Sequence, residues 1–101
     1  MYEELIENIE AWAEDRGLVP YSHKQAMKLN EEVGELYEGI LKERPEQIKD
    51  SIGDIQVVLI ILAKQLGIDY QNSLRSAYEV IADRKGKTVN GTFIKEEDIN
   101  D

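Results

Sequence analysis

Apolar residues recur along this chain with a helical period, and glycine or proline interrupts the pattern at intervals. Leu5, Ile6, Ile9, Trp12 and Ala13 share one face of a helix predicted over 2–16. Glu3 and Glu4 suit its positive end, and Gly17 is its stop. Ser22 followed by Gln25 has the form of a capping box, predicting a second helix over 22–43. Its expected buried stripe is Ala26, Leu29, Val33, Leu36, Tyr37 and Ile40. Pro45 ends it, because the residue before a proline is pushed out of helical geometry, and then suits the first turn of a third helix over 45–66. Ile48, Ile52, Ile55, Leu59, Leu62 and Leu66 form that helix's stripe, with Gly67 beyond it. A fourth helix, 69–85, is capped by Asp69, shows Leu74, Ala77, Tyr78 and Ile81 on one side, and ends in a basic turn, Arg84-Lys85. The period then shortens: β-formers flank Asn90-Gly91, predicting a hairpin or extended arm over 87–95. The expected fold class is all-α, one domain over 1–101, with a short C-terminal hairpin.

From Ile55 to Leu62 the third helix is apolar almost all round, with Val57, Val58, Ile60 and Ile61 outside its main stripe. A helix apolar on every face is buried on every face. Three helices of ordinary length hardly cover it, so the chain is expected to be oligomeric, a homodimer or homotetramer.

Composition narrows the partners. A formal charge of −9 on 101 residues disfavours nucleic acid and anionic membrane surfaces, where Lys and Arg must neutralise phosphates. A small polyanion remains compatible if a divalent cation bridges it to the protein. Cysteine is absent, which removes disulfides and thiolate metal sites. The opening Met1-Tyr2-Glu3-Glu4 lacks the basic and apolar regions of a signal peptide, so the expected compartment is the cytoplasm.

Against this background two acidic runs stand out, Glu31-Glu32-Val33-Gly34-Glu35 and Asp50-Ser51-Ile52-Gly53-Asp54. At about 100° per residue, Glu32 falls roughly 60° and Glu35 about 120° to one side of the second helix's stripe, with Lys28 on that flank and Glu31 further round. On the third helix Asp54 falls about 120° and Asp50 about 160° from the stripe, again on one side. If the seams meet, the acids converge at the edge of the interface. Convergent carboxylates repel one another, and a hard cation such as magnesium resolves this. The bland alternative is a solvated face with Lys28 and Lys42 as intrahelical partners. Interior glycines at 34 and 53 count against it, since each costs about 1 kcal/mol relative to alanine; close backbone approach or room for a ligand is expected there. The single histidine, His23, excludes the Glu-x-x-His pairs of di-iron bundles and a Ser-His triad.

Glu-Glu-x-x-Glu followed by spaced acids on the next helix resembles the MazG-like all-α nucleoside triphosphate pyrophosphohydrolases. The ending Asp83-Arg84-Lys85-Gly86-Lys87 through Asn90-Gly91-Thr92-Phe93-Ile94-Lys95 is similar to their compact phage and bacterial branch. The resemblance runs from about 22 to 95. It implies a four-helix MazG-like bundle and magnesium-dependent cleavage, with manganese as a substitute, between the α and β phosphates of a nucleoside triphosphate. By position it makes Glu32, Glu35 and Asp54 metal ligands and Glu31 the group that orients or deprotonates the attacking water; Asp50, four residues before Asp54 and so still its helical neighbour, is taken as the fourth ligand.

The chain departs from the family pattern at one place. Where the family usually has a glutamate, three residues before Asp54, this chain has Ser51; Asp50 is offset by one. Glu79 and Ala82 stand where basic contacts are expected, which moves the nucleotide-binding role to Lys28, Arg84, Lys85 and Lys87, with Trp12 or Tyr37 stacking on the base and His23 or Asn30 hydrogen-bonding it. The rival readings are an inactive helical oligomerisation or regulatory module of the same fold, and an enzyme of that fold acting on another phosphoanhydride. The base and sugar are not selected.

Overall fold

The computed structural model describes residues 1–99. Four helices and a two-stranded antiparallel sheet follow in the expected order: α1 (Tyr2–Asp15), α2 (His23–Leu41), α3 (Pro45–Gln65), α4 (Tyr70–Ala82), β1 (Gly86–Val89) and β2 (Thr92–Lys95), then a 3-10 turn, Glu96–Asp98. The chain divides into two compact units, Met1–Tyr70 and Gln71–Asp101.

In the first unit, α2 and α3 form an antiparallel hairpin and α1 packs on α3, burying Ile6 and Ala13. Gly17 ends α1 at φ +68°, with Leu18 N–H donating to Ala13 O and Gly17 N–H to Glu14 O. That left-handed cap is a glycine's task. Gly67 repeats it after α3 at φ +72°. The same bonds close α2, but Glu43 takes the left-handed position at φ +52°. Arg44 is extended, as Pro45 requires. Ser22 precedes α2 as expected, yet no capping box forms. Its backbone is already helical at φ −89°, ψ −27°, and its side chain makes no cap bond.

The hairpin packs on a face rotated from the predicted one. On α2 the inward positions are Gln25, Leu29, Glu32, Leu36 and Gly39; Gly39 is buried and the rest half-buried, whereas Val33, Tyr37 and Ile40 are exposed. On α3 the inward positions are Ile48, Ser51, Ile55, Val58, Leu62 and Gln65, while Ile52 and Leu66 are half exposed. Both rows alternate steps of three and four, the spacing of a helix–helix seam. The cause is local. A Cβ on Gly39 would lie 3.3 Å from Ile48 N, so α2 reaches closest to α3 at its glycine. That contact turns the glutamate-bearing edge inward and leaves the opposite edge of the apolar stripe uncovered.

The interior glycines the sequence singled out do not approach any backbone. A Cβ at Gly34 or Gly53 would meet nothing within 4 Å.

In the second unit α4 ends at Ala82, three residues earlier than predicted, and has no buried residue. Arg84 and Lys85 are therefore not a helical basic turn. Lys85 O accepts from Glu96 N–H at 2.7 Å, which draws the chain out of the helix into the strand beginning at Gly86. Asn90 and Gly91, at φ +51° and +80°, form the tight turn expected of them.

Candidate metal and nucleotide site

The rotated seam decides which acids meet. Gly39 lies against Ile48, so in an antiparallel pair Glu32, two turns back on α2, comes level with Ile55, two turns on along α3. Asp54 is next to that position. Glu32 is half-buried, and its Oε2 is out of solvent contact with no hydrogen-bond partner. Burial pushes the Glu32 carboxyl above its ordinary value, and the charges of Glu35 and Asp54 push it further; Lys28, one turn earlier, pulls the other way. Glu35 also lies within hydrogen-bonding reach of Glu32, a bond that exists only if one of the two carboxyls carries a proton.

Glu32, Glu35 and Asp54 are thus brought into one electrostatic neighbourhood. Asp50 is not among the groups acting on Glu32 and is exposed. Helical geometry accounts for the difference: measured from buried Ser51 and Val58, Asp54 is about 50° away and Asp50 about 90°. Ser51, where the resemblance expects a glutamate, is buried at 2% exposure. Glu31 is exposed. Glu38 belongs elsewhere. Lys42 approaches it at 3.9 Å and Arg44 at 3.5 Å.

The donor chemistry suits a hard cation: oxygen ligands, an orphaned carboxylate oxygen and, among the described residues, Lys28 as the positive group acting on Glu32. The side chains are not gathered into a finished ligand set, however, since among the described residues no three acids converge closely enough to hold an ion.

The other candidates are dispersed. Trp12 is half exposed, but Arg16 covers one indole face at 4.1 Å, leaving the other for stacking. Tyr37 is 64% exposed. His23 lines a pocket of about 490 Å³ with Leu18, Tyr21 and Gln65. Sequence reasoning passed over Gln65. Its Nε2 donates to Leu18 O and Tyr21 O, which fixes the amide and leaves Oε1 buried without a donor. Nothing in the local sequence marks it, because both partners lie more than forty residues away. Arg84 and Lys85 line a second pocket, within the C-terminal unit, and Lys87 does not.

Comparison with known proteins decides the family. The MazG-like family model matches residues 26–97, most of the chain, including Glu31, Glu32, Glu35, Asp50 and Asp54. The chain belongs to the MazG-like family. This MazG-like chain is also similar to an uncharacterized 18.2 kDa protein in the rep-hol intergenic region of Haemophilus phage HP1, 59% identical over 69 residues. The match covers 66% of the chain and 42% of that relative, so the chain spans less than half the relative's length. No solved structure matches. Among the described residues of this MazG-like protein, no single helix is long and apolar enough to cross a membrane.

Proposed function

We propose that this MazG-like chain hydrolyses the α–β phosphoanhydride of a nucleoside triphosphate, giving the monophosphate and pyrophosphate. The observation that carries this reading is Glu32: a half-buried carboxylate with an orphaned oxygen, held beside Glu35 and Asp54. A site that raises the free energy of its own anion is one that gains by binding a cation. Glu32, Glu35 and Asp54 would hold magnesium, with Asp50 the most distant contributor. When bound, the ion supplies Lewis acidity at the phosphoryl oxygens and a more acidic water. Glu31, exposed one position before Glu32, accepts the proton of the attacking water; the water oxygen bonds to the α-phosphorus, and pyrophosphate leaves. Lys28 stands beside the acids to offset charge on the incoming phosphates. The pocket at His23 and Gln65 offers one orphaned acceptor to a base amine or imide. Gln25, on its wall, is two turns from Glu32, about 10 Å along α2.

The same reading includes self-association. Val33, Tyr37 and Ile40 on α2 and Ile52 and Leu66 on α3 form an apolar edge open to solvent. Such an edge is better suited to a second copy than to water.

A panel of nucleoside triphosphates with magnesium, scored for monophosphate and pyrophosphate, tests the reading. Turnover that is lost in Glu32→Gln supports it; orthophosphate in place of pyrophosphate puts the cut at the β–γ bond and refutes it. The buried serine at 51 favours a second reading, a non-catalytic member of the family. No turnover across the panel, with metal binding equal in wild type and Glu32→Gln, would establish that one.

A further inference from the structure

The C-terminal unit carries an open pocket of about 440 Å³ lined by Val80, Arg84, Lys85, Lys95, Glu96 and Glu97. Its cations come together only through the hairpin. Lys95 pairs with Gly86 across the ladder, which places it beside Lys85, ten residues earlier. The base of the hairpin is rigidly specified: a Cβ at Gly86 would overlap Ile94 O and lie 2.8 Å from Phe93 Cζ. Glu96 N–H, bound to Lys85 O at 2.7 Å, fastens the far end of β2 to the pocket's other wall.

Three features suit a phosphate ligand. Arg84, Lys85 and Lys95 outnumber Glu96 and Glu97 in a chain whose total charge is −9. None of the three cations makes an ion pair among the described residues, although the two glutamates share the pocket. Arg84 and Lys95 are half-buried, so their charges are less screened than those of free surface side chains. Guanidinium presents paired donors to phosphate oxygens, and ammonium adds point charge. Lys87, one step along β1, pairs with Ile94 and lies on the other side of the strand.

We propose that this pocket binds two linked phosphates, as in pyrophosphate or the β,γ end of a nucleoside triphosphate, through Arg84, Lys85 and Lys95, without needing a divalent cation. Assigning those phosphates to substrate or product rests on the hydrolase reading; the binding itself does not.

The test uses the full chain in EDTA, titrated separately with pyrophosphate, orthophosphate and a non-hydrolysable α,β-methylene nucleoside triphosphate, by calorimetry and amide NMR. Saturable binding of pyrophosphate or of the triphosphate is expected. It should be weakened tenfold or more by Lys95→Gln, restored in part by Lys95→Arg, and left unchanged by Lys87→Gln. Shifts at Arg84 and Lys95 with pyrophosphate identify the free diphosphate as a ligand; shifts with the triphosphate alone identify the nucleotide. No saturable binding of either, or a Lys95→Gln protein that keeps its hairpin cross-peaks and binds like wild type, overturns the proposal. Lys85→Gln gives the same comparison if Lys95→Gln loses the hairpin. Turnover is scored independently: binding without turnover keeps the pocket and removes the hydrolase reading. Turnover with a KM unmoved by Lys95→Gln does the reverse.

Discussion

Asp54 of α3 acts on Glu32 of α2 across the helical hairpin, and together with burial and Glu35 it raises the affinity of Glu32 for a proton. Because the folded pKa lies above the unfolded value, the native state holds that proton more tightly than the unfolded chain does. The contribution of Glu32 to stability is therefore fully present below the ordinary glutamate pKa and falls as pH rises through the raised folded value. Metal-free wild type should lose stability relative to Glu32→Gln over that window and stay below it at neutral pH. Urea midpoints of the two proteins from pH 4 to 8 check this; parallel curves would remove the electrostatic account of the site. Added magnesium should raise the neutral-pH midpoint of wild type more than that of the variant.

Gly39, Gly34 and Gly53 make a second comparison. Alanine at 34 or 53 meets nothing within 4 Å, so each substitution should stabilise the isolated chain by roughly 0.5–1 kcal/mol through helix propensity. Alanine at 39 has the same propensity gain but presses on Ile48 N, a backbone atom that cannot swing aside. The expected net effect is a loss of about 1 kcal/mol. Thermal melts of the three variants should differ in sign. If Gly34→Ala or Gly53→Ala stabilises the fold yet lowers turnover, the space beside the acids is used by substrate.

Gln65 ties the end of α3 to the connection between α1 and α2. Gln65→Leu keeps the volume but leaves Leu18 O and Tyr21 O without their donor. A cost of about 1–3 kcal/mol is expected, along with faster amide exchange in residues 18–22. If the buried Oε1 also reads the base, Gln65→Glu should change the preferred base in the triphosphate panel rather than lower all rates alike.

Glu43 holds the left-handed cap of α2, a conformation that costs a residue with a Cβ. Glu43→Gly should therefore stabilise the chain by roughly 0.5–1 kcal/mol. The side chain takes part in no ion pair among the described residues, so little is lost with it. An unchanged or lowered melting temperature would show that the strain is relieved elsewhere.

Much of this protein is written locally. Helical period, Gly17, Pro45 and Gly67 determine where three helices begin and end, and Asn90-Gly91 determines the turn, because each acts through its own backbone angles. The acidic pairs, too, were visible as acids beside an apolar stripe. What local sequence could not determine is which part of a broad apolar stripe a single chain uses. Gly39 against Ile48 decided that, turning Glu32 and Asp54 toward each other, moving Asp50 away, and leaving Tyr37 and Ile40 open. Nor could it bring Lys95 beside Lys85, or Gln65 beneath residues 18–21, since those neighbours are made by a ladder and a fold rather than by spacing. Residues close in sequence are placed by backbone preference; residues distant in sequence meet only when packing selects one register from several that the pattern allows.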